Sequence, residues 1–381
     1  MKPIAASVLV LVAIGLFISD SLRAESFLRG DSNSDGNTDI SDGTIILRYL
    51  FQGTAEPPCL DAADVNDSGG LNLSDPIYLL NYLFLGGAEL PAPSLICGED
   101  PTADGLGCLT QSEDCQQGIP GFSYEGENAA GYEEYLHGQT RILFIRIPGG
   151  QSTMGSPPEE IGRDGDEGPV HSVTLSPYLI AKYEVTQAQY EAVMGFNPGF
   201  FQFDWVGDGQ GSADLPVDLV SWDALNADSG FLARTGLELP TETQWEFAAR
   251  GGARTAFHFG NQASRLGKFA WFEGNSGGLK HRVGLKAPNQ FGLYDMHGNA
   301  WEWTKDGYSD TFYADPAASE LDPVVNLEDL SFDARAVTCR GGSFRSGTDG
   351  CRSSQRDGSM PTTFSYRGLG FRLAYSLSQG Q

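Results

Sequence analysis

The sequence predicts an α+β protein in which a small all-α module precedes a larger mixed domain with few regular elements. Three observations carry this expectation. Two acidic twelve-residue loops begin at Asp31 and Asp64, 33 residues apart, and each feeds an apolar helical run. Beyond Arg141, short apolar runs suited to strands alternate with helix starts marked by capping boxes. Glycine at 49 of 381 residues, with 14 Tyr, 22 Phe and 6 Trp, suits a loop-rich globular chain rather than a disordered one.

Charge narrows the partners. With 24 basic and 50 acidic residues the formal net charge is -26. No nucleic-acid partner is expected, because phosphate binding needs a basic face. The same acidity suits calcium, which is held by carboxylates. At the N-terminus Lys2 precedes an apolar run from Ile4 to Ile18, and Ser21-Leu-Arg-Ala24 offers a small residue for cleavage. Residues 1–24 therefore read as a secretory signal peptide, the run being short for a membrane span. The mature chain is expected to be secreted or extracytoplasmic, without a membrane span after cleavage, in a compartment where cysteines oxidise.

The first acidic loop places oxygen donors at Asp31, Asn33, Asp35, Asp39 and Asp42, with Asn37 between them and Gly36 where the loop must turn sharply. Ile45, Ile46, Leu47, Tyr49, Leu50 and Phe51 follow on a helical run. The second loop repeats the pattern with Asp64, Asn66, Ser68, Gly70, Asn72 and Asp75, then Ile77, Tyr78, Leu79, Leu80, Tyr82 and Leu83. Calcium takes six to eight oxygens, so both sets are candidate calcium ligands. Ser68 stands where an Asp is usual, and each loop closes on the shorter Asp rather than a bidentate Glu. The tandem resembles dockerin modules. That resemblance implies an EF-hand-like fold over residues 25–89 whose paired helices grip a cohesin-like receptor. A calcium-stapled cap with no receptor is the alternative.

Residues 90–139 are rich in Pro, Gly and acids and read as a stapled linker. Cys97, Cys108 and Cys115 join Cys59 to make two disulfides in one of three pairings. Zinc is disfavoured because no His falls among these cysteines and no CxxC is present.

From Arg141 the pattern becomes that of a folded domain. Ile142 to Ile147 predicts a strand closed by Pro148-Gly-Gly150, and the stretch to Val173 predicts loop and strand. Thr186 and Gln189 form a capping box that opens a helix to Met194, which Gly195 stops. Val217 to Val220 predicts a short strand, and Ser221 caps a helix expected to run through Ala233. Thr241 and Gln244 repeat the capping box, starting a helix through Arg250 that Gly251-Gly252 ends.

Several blocks in this region match one family in order. They are Phe144-Ile-Arg-Ile-Pro-Gly-Gly150 with Met154-Gly-Ser156, Lys182-Tyr-Glu-Val-Thr-Gln-Ala-Gln-Tyr190, Pro216-Val-Asp-Leu-Val-Ser-Trp222 and Leu239-Pro-Thr-Glu-Thr-Gln-Trp-Glu-Phe-Ala-Ala-Arg-Gly-Gly252. Gly292-Leu-Tyr-Asp-Met-His-Gly-Asn-Ala-Trp-Glu-Trp303, Arg340-Gly-Gly-Ser-Phe344 and Leu369-Gly-Phe-Arg372 follow. Together they resemble the formylglycine-generating enzyme, or sulfatase-modifying factor, family over a domain at residues 140–376. The resemblance implies a C-type-lectin-like fold. It also implies an oxidase that converts a sulfatase cysteine to formylglycine, using oxygen and copper held between two thiolates.

In active members those cysteines follow the Gly-Gly-Ser block, five positions apart. Here Ser346 holds the first position and Cys351 the second, so they are the catalytic candidates by resemblance. A serine hydroxyl is a hard, weakly acidic ligand and a poor replacement for a thiolate on Cu(I). Cys339 lies before the glycines; it can pair with Cys351 as a disulfide, or Cys351 can stay free. The resemblance further implies a calcium site from the Asp295 side chain, the Gly298 and Ala300 carbonyls and the Glu302 side chain. A second calcium site of the family does not carry over, because Trp271 to Gly278 lacks the expected acid. Ser343 and Trp301 match positions that line the family's cleft.

Other patterns carry less. Gly274-Asn-Ser-Gly-Gly278 fits G-x-S-x-G without the strand-to-helix context of a nucleophile elbow, and the five histidines never adopt HExxH spacing. Three functional readings remain. One is a secreted dockerin-bearing protein whose C-terminal domain binds a peptide, protein or glycan ligand. Another is a copper-dependent formylglycine-generating oxidase. The third is a structural component of an extracellular polysaccharide-degrading assembly.

Overall fold

The computed structural model describes residues 27–34, 38–85, 87–88, 90–91, 106, 108, 119, 121–200, 211–330 and 336–377. The signal-peptide reading, the loop residues Asp35, Gly36 and Asn37, and Cys97 and Cys115 fall outside them. The chain divides into two compact units, Met1–Ser94 with Gly98–Gln116, and Leu95–Cys97 with Gln117–Gln381.

The N-terminal unit is helical. Asp39 caps α1 (Ile40–Gln52) and forms a capping box with Asp42; Gly53, at φ 63°, stops the helix in the left-handed conformation. A short α2 (Leu60–Ala63) and a longer α3 (Ser74–Leu85) follow. Ile46, Ala63, Val65, Leu79 and Leu90 make a small shared core. Such a core is marginal by itself, and a Cys59–Cys108 disulfide, packed in a second cluster with Phe27 and Ala62, closes a span of 49 residues. Cross-linking a loop of that size removes unfolded-state entropy. Cys59→Ser is therefore expected to lower this unit's stability by about 2–4 kcal/mol. Urea unfolding under oxidising conditions, read by far-UV circular dichroism, checks this; all six tryptophans lie in the other unit.

Eleven strands are described in the C-terminal unit. They are β1 (Phe122–Glu127), β2 (Glu133–His137), β3 (Leu143–Ile147), β4 (Gly150–Met154), β5 (His171–Leu175) and β6 (Tyr178–Ala181), then β7 (Trp301–Gly307), β8 (Ala336–Arg340), β9 (Arg356–Pro361), β10 (Leu369–Phe371) and β11 (Ala374–Ser376). A five-stranded sheet runs β1-β2-β3-β6-β11, a four-stranded sheet runs β10-β7-β8-β9, and β4 pairs with β5. Neighbouring residues of β3 and β6 point into different cores. Phe144 and Leu179 pack with Trp303, Leu369 and Phe371, while Ile145 and Ile180 pack with Trp245, Ala249 and Leu293. With both faces covered, β6 reads as an unbroken apolar run, and β3 is apolar except for the exposed Arg146.

Among the described residues of this unit there are four α-helices: α4 (Gln187–Met194), α5 (Trp222–Asn226), α6 (Phe231–Thr235) and α7 (Glu242–Arg250). The capping boxes at Thr186 and Thr241 form as expected, and Gly195 and Gly251 stop their helices in the left-handed conformation. Three expectations need correction. The stretch 90–139 is not wholly linker, because β1 and β2 pair onto β3 and so belong to the C-terminal unit. Val217–Val220 is not a strand: Leu219 sits at φ 61°, which interrupts an extended run, and only Pro216 makes an isolated bridge, to Thr186. The helix capped by Ser221 ends at Asn226, where Ala227 turns extended, and a second helix restarts after Gly230. Among the described residues, no helix is long and apolar enough to cross a membrane.

Candidate functional site

The glycine turn after β8 is built by close approach. Gly341 and Gly342 lie at φ 98° and 76°, and a Cβ on Gly342 would meet the Gly350 carbonyl at 2.4 Å and Cys351 Sγ at 3.0 Å. Only glycine lets the chain fold back on itself here. Within the turn, the Ser343 amide donates to Ser346 Oγ at 2.9 Å, and the Arg345 amide donates to Ser343 Oγ at 3.2 Å. Both hydroxyls thus hold backbone in place.

Cys351 ends a 3₁₀ turn (Asp349–Cys351) and is wholly buried with Ala256, Phe257, Leu266 and Ala270. Burial pushes its thiol up to about 12. It is therefore protonated at neutral pH and a poor nucleophile, and a soft metal would have to displace its proton to bind. Cys339 lies on β8, opposite Trp303 in the larger core, and burial also raises its thiol. Both cysteines are free, so the Cys339–Cys351 disulfide does not form; the two sulfurs sit in different apolar clusters. A two-thiolate copper site does not fit a serine hydroxyl beside one buried, protonated thiol. No oxidative step is assigned to it.

Behind Cys351 lies a histidine pair that sequence reasoning left without a role. His297 Nδ1 lies 2.9 Å from the Cys351 carbonyl, and its Nε2 lies 3.0 Å from His258 Nδ1. A carbonyl only accepts, so His297 Nδ1 carries the hydrogen and its Nε2 accepts from His258. That leaves His258 Nε2 as a bare, buried lone pair. Burial depresses His258 to about 2, with His297 and Arg265 adding to the effect, and depresses His297 to about 4. Because the folded values lie below 6.5, the pair's stabilising contribution is full above that pH and is lost as pH falls. His258→Phe is expected to flatten the fall in stability below pH 6 by about 1.4 kcal/mol per pH unit. Tryptophan-fluorescence unfolding at stepped pH checks this, an unchanged slope counting against it.

A second cluster gathers acids around β7 (Trp301–Gly307). Asp295, at φ 60°, accepts from the Gly284 amide at 2.7 Å through Oδ2, while its buried Oδ1 has no partner. Glu302 accepts from Arg372 Nε and Nη2, both at 2.6 Å, and from Trp245 Nε1 at 2.6 Å. Glu184 accepts from the Ala300 amide at 2.8 Å and Asn299 Nδ2 at 2.7 Å. Burial raises Glu184 well above the carboxylate range, with Asp295 and Glu302 adding repulsion, and burial pushes Asp295 up to about 6. Gly298 follows at φ 146°, where a Cβ would come within 2.3 Å of the Trp271 carbonyl. Three buried carboxylates thus face one guanidinium, with a carboxylate oxygen left over. Asp295 Oδ1 is thus the one side-chain oxygen of the three left to meet a hard cation. Among the described residues, no group of three or more His, Cys, Asp or Glu is arranged to hold a metal by itself, so the carbonyls of Gly298 and Ala300 would be needed. Sequence reasoning missed Glu184 and Arg372, although both lie in blocks it singled out.

In the N-terminal unit the repeat reappears as three matched hydrogen bonds. The Asn33 and Asn66 amides donate to Asp42 Oδ1 and Asp75 Oδ1 at 3.1 and 3.4 Å. The Asp39 and Asn72 amides donate to Asp42 Oδ2 and Asp75 Oδ2 at 2.9 and 2.7 Å. Asn33 Nδ2 reaches Ser41 Oγ at 2.8 Å, and Asn66 Nδ2 reaches Ser74 Oγ at 2.6 Å. Asp64 accepts from the Ser68, Gly69 and Gly70 amides, closing the second loop. Asp31, Asp42, Asp64 and Asp75 are all buried. Trp301, the remaining candidate, opens β7 partly buried and lines a shallow cavity of about 360 Å³ with Tyr308, Arg356 and Asp357; Ser343 does not line it.

Comparison with known proteins matches residues 137–377 to the sulfatase-modifying factor enzyme 1-like domain. A formylglycine-generating enzyme of Thermomonospora curvata is 32% identical over 236 residues, 47% of this chain and 77% of that protein. An inactive C-alpha-formylglycine-generating enzyme 2 of Bos taurus is also 32% identical, over 228 residues, 46% of this chain and 74% of that protein. Overall identity therefore does not separate an active relative from an inactive one. Among solved structures, Treponema denticola variable protein 1 is similar with a TM-score of 0.54 and 27% identity, covering 64% of this chain and 98% of that one. PvdO from Pseudomonas aeruginosa gives 0.53 and 27%, covering 64% and 97%.

Proposed function

The chain belongs to the sulfatase-modifying factor enzyme 1-like family, and from that premise we propose that its C-terminal unit is a binding member without the family's oxidase chemistry. One observation carries the reading. Ser346 stands in the first reactive position, and Cys351 in the second is buried and held protonated. What remains is a rigid scaffold whose loops can present a surface to a peptide, protein or glycan; fold alone does not confer chemistry.

The same reading gives the rest of the chain its roles. It is an exported protein whose N-terminal unit is a dockerin-type calcium module docking on a cohesin-like receptor. The matched hydrogen bonds of its two loops support this. Asp295, Gly298, Ala300 and Glu302 hold a further calcium, with Glu184 beside them. A bound divalent ion there supplies charge compensation for the buried acids and no chemistry.

Incubating the full protein with a Cys-x-Pro-x-Arg peptide, Cu(I) and oxygen is expected to leave the peptide mass unchanged. Formylglycine formation that Cys351→Ala abolishes would show the domain to be an oxidase and end the binding-only reading.

A further inference from the structure

A cavity of about 330 Å³ opens between the 157–161 loop, the 254–263 segment and the 349–352 turn. None of Ser343, Ser346, Trp301 or Cys351 lines it, so it is distinct from the positions discussed above. Its volume lies at the small end of the range for ligand pockets. Ala256, Phe257 and Ala263 give it an apolar floor that continues into the cluster around Cys351.

The wall is preassembled. Arg352, 1% exposed, donates from Nη1 to Glu160 at 2.8 Å and Glu167 at 2.7 Å, and from Nη2 to the Gly162 carbonyl at 2.5 Å. Ser354 Oγ adds a bond to Glu160 at 3.0 Å. Gly162 lies at φ 78°, a left-handed conformation that favours glycine, and a Cβ there would come within 2.5 Å of Asp349 Cγ. A ligand entering this cavity meets a loop whose entropy is already spent in folding.

Other polar groups around the floor keep bonding capacity to spare. Glu159 and Arg254 both line the cavity, and neither makes a hydrogen bond or ion pair among the described residues. The Asp349 side chain has one hydroxyl contact, from Thr348 at 3.4 Å. Asn261 spends its Oδ1 on the Ala256 amide at 2.9 Å and leaves its Nδ2 available to donate. Ile161 stands at the rim, 86% exposed. An anion alone would satisfy Arg254 but face Glu159 and Asp349. A cation alone would leave Arg254 unanswered. A ligand carrying both charges on an apolar body answers all of these groups.

We infer that this cavity binds a zwitterionic, amino-acid-like ligand with an apolar side chain. Its ammonium group faces Glu159 and Asp349, its carboxylate faces Arg254 and Asn261, and its side chain rests on Phe257 and Ala263. This assignment is independent of whether the glycine turn retains chemistry.

Isothermal titration of the full chain with L-phenylalanine and L-leucine tests it. Saturable one-to-one binding is expected, weakened about tenfold for phenethylamine, which lacks the carboxylate, and for 3-phenylpropionate, which lacks the amine. Arg254→Gln and Glu159→Gln are each expected to weaken phenylalanine binding about tenfold while leaving the melting temperature unchanged, because both side chains are exposed and unpaired. The assignment is overturned if neither amino acid binds saturably, if phenethylamine binds as tightly as phenylalanine, or if Arg254→Gln binds as the parent does.

Discussion

Replacing Arg372 with methionine is expected to destabilise the C-terminal unit by about 3–5 kcal/mol, the range for removing one partner of a buried ion pair. Arg372 is fully buried and makes four bonds, two to Glu302 and one each to the Ala181 and Tyr294 carbonyls. Its loss leaves Glu302 with only Trp245, in a cluster that already contains Glu184 and Asp295. Like charges with no guanidinium between them must then take up protons or draw in water. Urea unfolding read by tryptophan fluorescence measures the change, since every tryptophan lies in this unit. Adding Glu302→Gln should recover part of the loss, because the second substitution removes the stranded charge. A loss below about 1 kcal/mol would mean that the cluster is solvated rather than buried.

Calcium should have an effect of similar size on the N-terminal unit. Asp31 and Asp42 in one loop, and Asp64 and Asp75 in the other, are buried carboxylates, and Asp42, Asp64 and Asp75 accept from backbone amides. A bound divalent ion would offset that concentrated charge. At free calcium a thousandfold above the dissociation constant, each occupied loop contributes about 4 kcal/mol. Chelation with EDTA is therefore expected to lower the melting temperature and helicity followed by far-UV circular dichroism, and excess calcium to restore both. Asp75→Ala should remove the share of the second loop alone. Superimposable melts in EDTA and calcium would refute the calcium module, whatever the C-terminal unit binds.

Legibility followed the range of the interaction involved. The helix at Gln187–Met194 could be read from Thr186, Gln189 and Gly195, because a capping box and a left-handed stop are made within a few residues. The tandem loops could be read as a repeat for the same reason, and the offset that links Asp42 to Asp75 also links their amide donors. Val217–Val220 has the composition of a strand yet is pinned otherwise. The Val217 amide is taken by Val185, and Asp218 is drawn to Lys280 at 2.7 Å. Glu184 and Arg372 lie far in sequence from Asp295 and Glu302, so nothing local announces that all four share one buried site.

By itself, the sequence determined the family, the capped helix starts, the loop repeat and the serine at position 346. Each is a matter of residue identity or of contacts spanning a single turn. Only the tertiary structure decided that residues from Gln117 onward join the C-terminal unit, that Cys339 and Cys351 stay apart, and that Arg352 clamps a loop into a cavity wall. Those outcomes depend on strand pairing and burial between distant segments. Burial also sets the state of Cys351, since an identical thiol in water would ionise far more readily than one sealed beneath Phe257 and Leu266.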